Sequence, residues 1–196
     1  MGLRPKDLVG NAHKPRLHRK SMAKSDSFFI RARVTSHDQT YVQTEIDLGS
    51  FVNLGVSKST LLRVHNIAVQ YADNNGPNNP IYTTAAAPAG AAWQLTTQSQ
   101  SALVLADDKS VVSSGALSAF GDSTSTAHAF GTFDTEDVNP QMWTQGYLVG
   151  VDSLFLACDL SGATFTSGNI DISVIMECTL ENATQANSVA LALSQQ

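Results

Sequence analysis

Basic residues all but vanish after position 33 of this 196-residue chain. From Val34 to Gln196 there are only Lys58, Arg63 and Lys109 against fifteen acids, a formal charge of −12. A body of that sign repels a phosphate backbone and does not itself coat nucleic acid. Cysteine is scarce as well. Cys158 and Cys178 are too few for a disulfide scaffold or a zinc site. Both fall at inward positions of candidate strands, where a reduced thiol packs as a small hydrophobe. Every apolar run is broken within a few residues, which argues against a transmembrane helix. Nor does an apolar stretch of signal-peptide length follow the early charges, so the expectation is a protein made inside a cell without a secretory signal. His37, His65 and His128 stand singly, with no paired metal-ligand spacing.

What the body lacks, the leader holds. Arg4, Lys6, Lys14, Arg16, Arg19, Lys20, Lys24, Arg31 and Arg33 are nine of the chain's twelve basic residues, set against Asp7 and Asp26, a charge of +7 in thirty-three positions. The whole-chain pI of 5.4 therefore averages two segments of opposite sign. Leu3, Leu8, Val9, Leu17 and Met22 are scattered, and Pro5, Gly10 and Pro15 interrupt any helix long enough to show an amphipathic face, so a membrane-surface helix is not expected. An extended cationic arm over residues 1–25 is, and it suits sequence-independent contact with phosphates. Arg4, Lys6, Lys14, Arg16, Arg19, Lys20 and Lys24 are the primary candidates, with Arg31 and Arg33 continuing the positive surface onto the body.

The body, residues 26–181, reads as strands. Around Ser27–Val34, period two puts Ile30, Ala32 and Val34 inward and Phe29, Arg31 and Arg33 outward. Tyr41–Leu48 alternates before Gly49. Across Thr60–Tyr71 the phase changes from even (Leu62, Val64) to odd (Ile67, Val69, Tyr71), which predicts a bulge near His65 or Asn66. Asp73–Pro80 is a cluster of turn formers, and Ala85–Ala92 reads as a small-residue connection. Further strands are expected at Ala91–Gln98, Ala102–Ala106, Gly115–Phe120, Ala127–Phe133, Gln145–Val151 and Leu154–Cys158. The clearest runs from Ile170 to Leu180. A tail over residues 182–196 follows, in which Val189, Leu191 and Leu193 alternate as in a short edge strand or an interfacial arm. Eight to ten strands with no helical repeat predict an all-β, antiparallel two-sheet sandwich, and the long crossing loops favour a single jelly roll.

Chemical motifs are weak. Gly55 to Thr60 ends like a P-loop but lacks the glycine before Lys58 and the helix after it. Asp107 and Asp108, and Asp134, Glu136 and Asp137, read as loop carboxylates, which are solvated more often than they bind calcium. The tryptophans Trp93 and Trp143 and the phenylalanines, Phe28, Phe29, Phe120, Phe130, Phe133, Phe155 and Phe165, fit a core better than a base-stacking platform. No catalytic residues, metal ligands or cofactor are expected.

A Pro- and Gly-interrupted basic arm leading directly into an all-β sandwich resembles the coat proteins of small icosahedral viruses. The run Glu45 Ile46 Asp47 Leu48 Gly49, followed by Leu61 Leu62 Arg63 Val64 His65 Asn66 Ile67, looks like the early strands of such capsid proteins. The resemblance implies a non-enzymatic, self-assembling shell protein of the virion. Its partners would be copies of itself and viral nucleic acid, with the arms turned inward and no membrane. A receptor- or carbohydrate-binding sandwich, as in a fibre head, shares the fold but leaves the arm unexplained.

Overall fold

The alternating stretches become nine strands in the computed structural model, which describes residues 26–54, 58–121 and 130–195. They are β1 (Phe28–Thr35), β2 (Val42–Asp47), β3 (Lys58–Asp73), β4 (Pro88–Thr96), β5 (Val111–Gly121), β6 (Phe130–Val138), β7 (Tyr147–Val149), β8 (Ser153–Gly162) and β9 (Ile170–Thr184). One sheet has the order β1-β9-β3-β7 and the other β2-β8-β4-β5-β6. The partners nest, β1 with β9, β2 with β8, β3 with β7 and β4 with β5, all antiparallel. That nesting is a long antiparallel ribbon rolled on itself, the topology of the jelly roll, with β6 added at one edge.

The core lies between the sheets and follows the alternation. Val34, Ile46, Leu62, Val64, Ile67, Leu95, Leu154, Leu156, Ile172, Val174 and Met176 are buried, while Phe29, Arg31 and Arg33 face solvent on β1. Trp93 sits at the centre, 1% exposed, and its indole N–H donates to the Tyr71 hydroxyl at 2.8 Å. Gly115 makes room for that ring: a Cβ there would stand 2.9 Å from the indole nitrogen and 2.5 Å from the Thr135 carbonyl. The expected bulge is present, with the β3–β9 register shifting between Val64 and Asn66. The spare residue, His65, turns its Nε2 to the Thr179 hydroxyl at 2.8 Å. Cys158 and Cys178 are free and buried, and burial pushes each thiol up to about 12, with Asp159 and Glu177 adding to the respective shifts.

Several expectations need correction. Ala102–Ala106 forms no strand. The loop crosses the outer face of the second sheet, where the Gln94 side-chain amide takes the place of a neighbouring peptide. It donates to the Val104 carbonyl at 2.8 Å and accepts from the Val104 N–H at 3.0 Å. The connection read at Ala85–Ala92 ends earlier, because β4 begins at Pro88, a position where a strand tolerates a missing donor. Beyond Asn182, β9 continues to Thr184 and a helix, α1 (Gln185–Ser194), replaces the expected edge strand or arm. Thr184 caps it by accepting from the Asn187 N–H at 3.4 Å. Leu191 settles on Gly150, where a Cβ would come within 2.9 Å of its side chain. Trp143 is 56% exposed rather than in the core, since it follows a short 3-10 turn at Pro140–Met142. Phe29, Phe120 and Phe133 also face solvent, whereas Trp93 and Phe165 are buried.

Candidate nucleic-acid interface

The arm enters the fold at the first strand of the first sheet. Arg4, Lys6, Lys14, Arg16, Arg19, Lys20 and Lys24 lie outside the described residues. Arg31 and Arg33 are placed on the exposed face of β1, one strand period apart, by the same alternation that drives Ile30, Ala32 and Val34 inward. The Arg31 guanidinium lies over the Phe29 ring, 5.6 Å from its centre. Arg33 stands 3.6 Å from Asp171 across the β1–β9 pair, but its side chain is 64% exposed, and such a surface pair is easily traded for a phosphate. Arg63, by contrast, is engaged. Its Nε and Nη2 hold both oxygens of Glu181, the latter bond at 2.8 Å, and its Nη1 donates to the Gln145 carbonyl at 2.6 Å. These hydrogen bonds keep the Glu181 carboxyl below its ordinary range.

The two sheets differ in sign. The strands of the first carry Arg31, Arg33, Lys58 and Arg63 against Asp73, Asp171, Glu177 and Glu181. Those of the second carry no basic residue and six acids, Glu45, Asp47, Asp134, Glu136, Asp137 and Asp159. Asp134, Glu136 and Asp137, expected in a loop, stand on β6. They add to the rise of the Tyr71 hydroxyl, which burial chiefly pushes up to about 12. Sequence reasoning placed a strand at Ala127–Phe133, which overlaps the start of β6, but missed its second half, because positions 132–137 are exposed on both faces and the apolar–polar alternation that marks a half-buried strand is erased.

Other candidate chemistry is not assembled. Residues 55–57 and His128 lie outside the described residues, and Lys58, Ser59 and Thr60 open strand β3 rather than a helix. Among the described residues no group of three His, Cys, Asp or Glu side chains could hold a metal ion. The Asp108 carboxylate, lowered by its bonds to the Ser110 hydroxyl and N–H, serves to fold its own turn. An open groove of about 480 Å³ runs between Thr97–Ser99 and Val151–Phe155, and Asp152 is the one ionisable group lining it. No described helix is long and apolar enough to cross a membrane.

The strand order defines the class: a single jelly roll, with one extra edge strand. No protein-family model matches the chain, and no curated protein matches it in sequence. Among solved structures it is similar to human polyomavirus 12 VP1 in complex with 3'-sialyllactosamine, at TM-score 0.39 and 10% identity, covering 81% of this chain and 100% of that one. It is similar also to trichodysplasia spinulosa-associated polyomavirus VP1 in complex with GM1 oligosaccharide, at TM-score 0.36 and 8% identity over 82% and 96% of the two chains. The structure of mud crab dicistrovirus is a further likeness, at TM-score 0.31 and 16% identity over 94% and 82%. Likenesses this distant carry no functional argument.

Proposed function

We propose that the chain is the coat protein of a small icosahedral particle, in which copies of the jelly roll tile the shell and residues 1–25 bind the packaged nucleic acid without regard to sequence. The observation that carries this reading is the reversal of sign after Arg33, within β1: a charge of +7 over residues 1–33 against −12 over the remainder. The first sheet, which continues the arm through Arg31 and Arg33, suits the side that faces polyanion, and the second, with its six unopposed strand carboxylates, suits the side that faces away. Self-association is favoured by a surface that is polar rather than ionic, with only 15% charged residues, and by exposed Phe120, Phe133, Trp143, Val189 and Leu193. A shell of about 60 chains would gather roughly 420 arm charges, enough to offset several hundred phosphates.

The test pairs sedimentation and electron microscopy with nuclease protection. The full chain is expected to form particles of megadalton mass that hold nuclease-resistant nucleic acid. Removing residues 1–24 should leave the β-rich circular dichroism spectrum intact and abolish packaging. If the truncated protein still copurifies with protected nucleic acid, the role given to the arm is wrong. A full chain that sediments only as a trimer supports the fibre-head reading instead.

A further inference from the structure

β6 is an edge strand that projects beyond the sandwich. It pairs only with β5 among the described residues, and positions 132–137 are exposed on both faces because the four-stranded sheet does not reach across to cover them. Among the described residues its row of outward backbone donors and acceptors has no partner strand and is open to another. Two of the other edges, β7 and β2, are differently placed, and β1 carries Arg31 and Arg33, which repel a basic strand. Where β7 ends, the Gln141 amide pairs with Ile67, accepting from its N–H at 3.2 Å and donating to its carbonyl at 3.1 Å. Beyond β7 itself, Gln195 donates to the Leu148 carbonyl at 2.7 Å and accepts from the Gly150 N–H at 2.8 Å. On β2, Glu45 accepts from Ser153 and Asp47 from the Gly49 N–H. On β6, Asp134, Glu136 and Asp137 have neither an ion pair nor a side-chain hydrogen bond among the described residues.

These charges decide what can be added. Two copies of β6 would oppose three carboxylates to three, so the edge rejects itself and selects a basic strand. The chain contains one of matching length. Arg16–Lys24, Arg-Leu-His-Arg-Lys-Ser-Met-Ala-Lys, has nine residues, as β6 does, and is free of proline and glycine. Its even positions, Arg16, His18, Lys20, Met22 and Lys24, form a largely basic face at period two, and its formal charge is +4 against −3 on β6. β1, into which the arm leads, lies at the opposite side of the sandwich, packed near β2 and β8. A chain's own arm would have to cross the fold to reach β6; a neighbour's need not.

We propose that the open edge of β6 receives residues 16–24 of a second copy of this chain as an added strand. This rests on reading the arm as a polyanion-binding segment, and it gives that segment a place in the absence of nucleic acid. Phosphate and β6 then compete for the same cations. A carbodiimide that joins lysine to carboxylate tests this on the full chain, using a mixture of isotope-labelled and unlabelled protein at low salt. Links from Lys20 and Lys24 to Asp134, Glu136 or Asp137 are expected between labelled and unlabelled copies. They should fall about tenfold at roughly 0.5 M salt and disappear when a single-stranded oligonucleotide is added. Asp134→Asn/Glu136→Gln/Asp137→Asn removes the acceptors, so in that variant and the wild type the amide exchange of residues 131–138 is followed as well, with slower exchange expected only in the wild type. No links to β6, links confined to one copy, or equal exchange in both proteins overturns the proposal. Oligonucleotide binding by the same samples separates the two readings: binding without links sinks the β6 contact alone, and links without binding sink the packaging role alone.

Discussion

Three glutamine side chains do the work of peptide groups in this molecule. Gln94, Gln141 and Gln195 each offer one donor and one acceptor to the backbone, at Val104, at Ile67, and at Leu148 with Gly150. A primary amide has the donor and acceptor spacing of a peptide, so it can satisfy a backbone that no strand reaches. Nothing in a sequence distinguishes such a glutamine from a solvated one, which is why the loop at Ala102–Ala106 reads as a strand until its partner is seen. Arg63 and Glu181 were likewise not recognisable as partners in the sequence. Their pairing comes from the register that sets Arg63 opposite Thr179 and Leu61 opposite Glu181. Replacing Glu181 with Gln should cost about 1 kcal/mol at neutral pH, a figure reduced for the exposure of the carboxylate. Because Arg63 holds the folded-state Glu181 below its ordinary range, that contribution is complete above the range and is lost as pH falls through it. Urea midpoints should therefore separate wild type from Glu181→Gln at about pH 6 and converge near about pH 3.

At the scale of elements, α1 behaves as a clamp. Residue 195, just past it, is 4% exposed. Besides its two side-chain bonds to the end of β7, its carbonyl accepts from the Thr97 hydroxyl at 2.6 Å and from Gln98 Nε2 at 3.1 Å. The segment after β9 thus ties the edge of the first sheet to the end of β4 on the second. Gln195→Ala should cost about 2 kcal/mol by stranding buried backbone groups, and lower the midpoint of thermal unfolding by roughly 4–8 °C in a chain of this size. The alternation of Val189, Leu191 and Leu193 had suggested a strand. Alanine and leucine between a Thr cap and the polar Gln195 also suit a helix, and the seat for Leu191 on Gly150 is a tertiary feature. Strands buried on one side were the legible elements. Ile170 to Cys178 and the phase change before Ile67 could be read residue by residue. Leu180, expected inward, is instead 36% exposed, and the second half of β6, wet on both faces, left no pattern to read.

For the whole molecule, the decisive quantity is the distribution of charge between arm and body. Each phosphate neutralised on a single strand adds about 0.7 to the fall of log K with log salt, so seven arm contacts give a slope near −5, and engagement of Arg31 and Arg33 brings it to about −6. Titrations of the full chain with fluorescent oligonucleotides should show that slope for poly-A and poly-U alike. Arg31→Gln/Arg33→Gln should reduce it by about 1. An unchanged slope in that variant would remove β1 from the interface, and a strong preference for one base composition would contradict binding through phosphates alone.

Composition and period were sufficient for three things: a basic leader, an acidic all-β body, and inward positions for the two cysteines. Each depends only on which residues neighbour one another along the chain, since charge sums locally and a strand shows its faces at every second residue. The nesting of β1 with β9 and β2 with β8, the glutamine caps, the turn of α1 and the overhang of β6 depend on contacts between residues far apart in the chain. Those were decided by tertiary packing, because burial, and with it the need for a hydrogen-bond partner, is a property of the assembled sheets and not of any stretch within them.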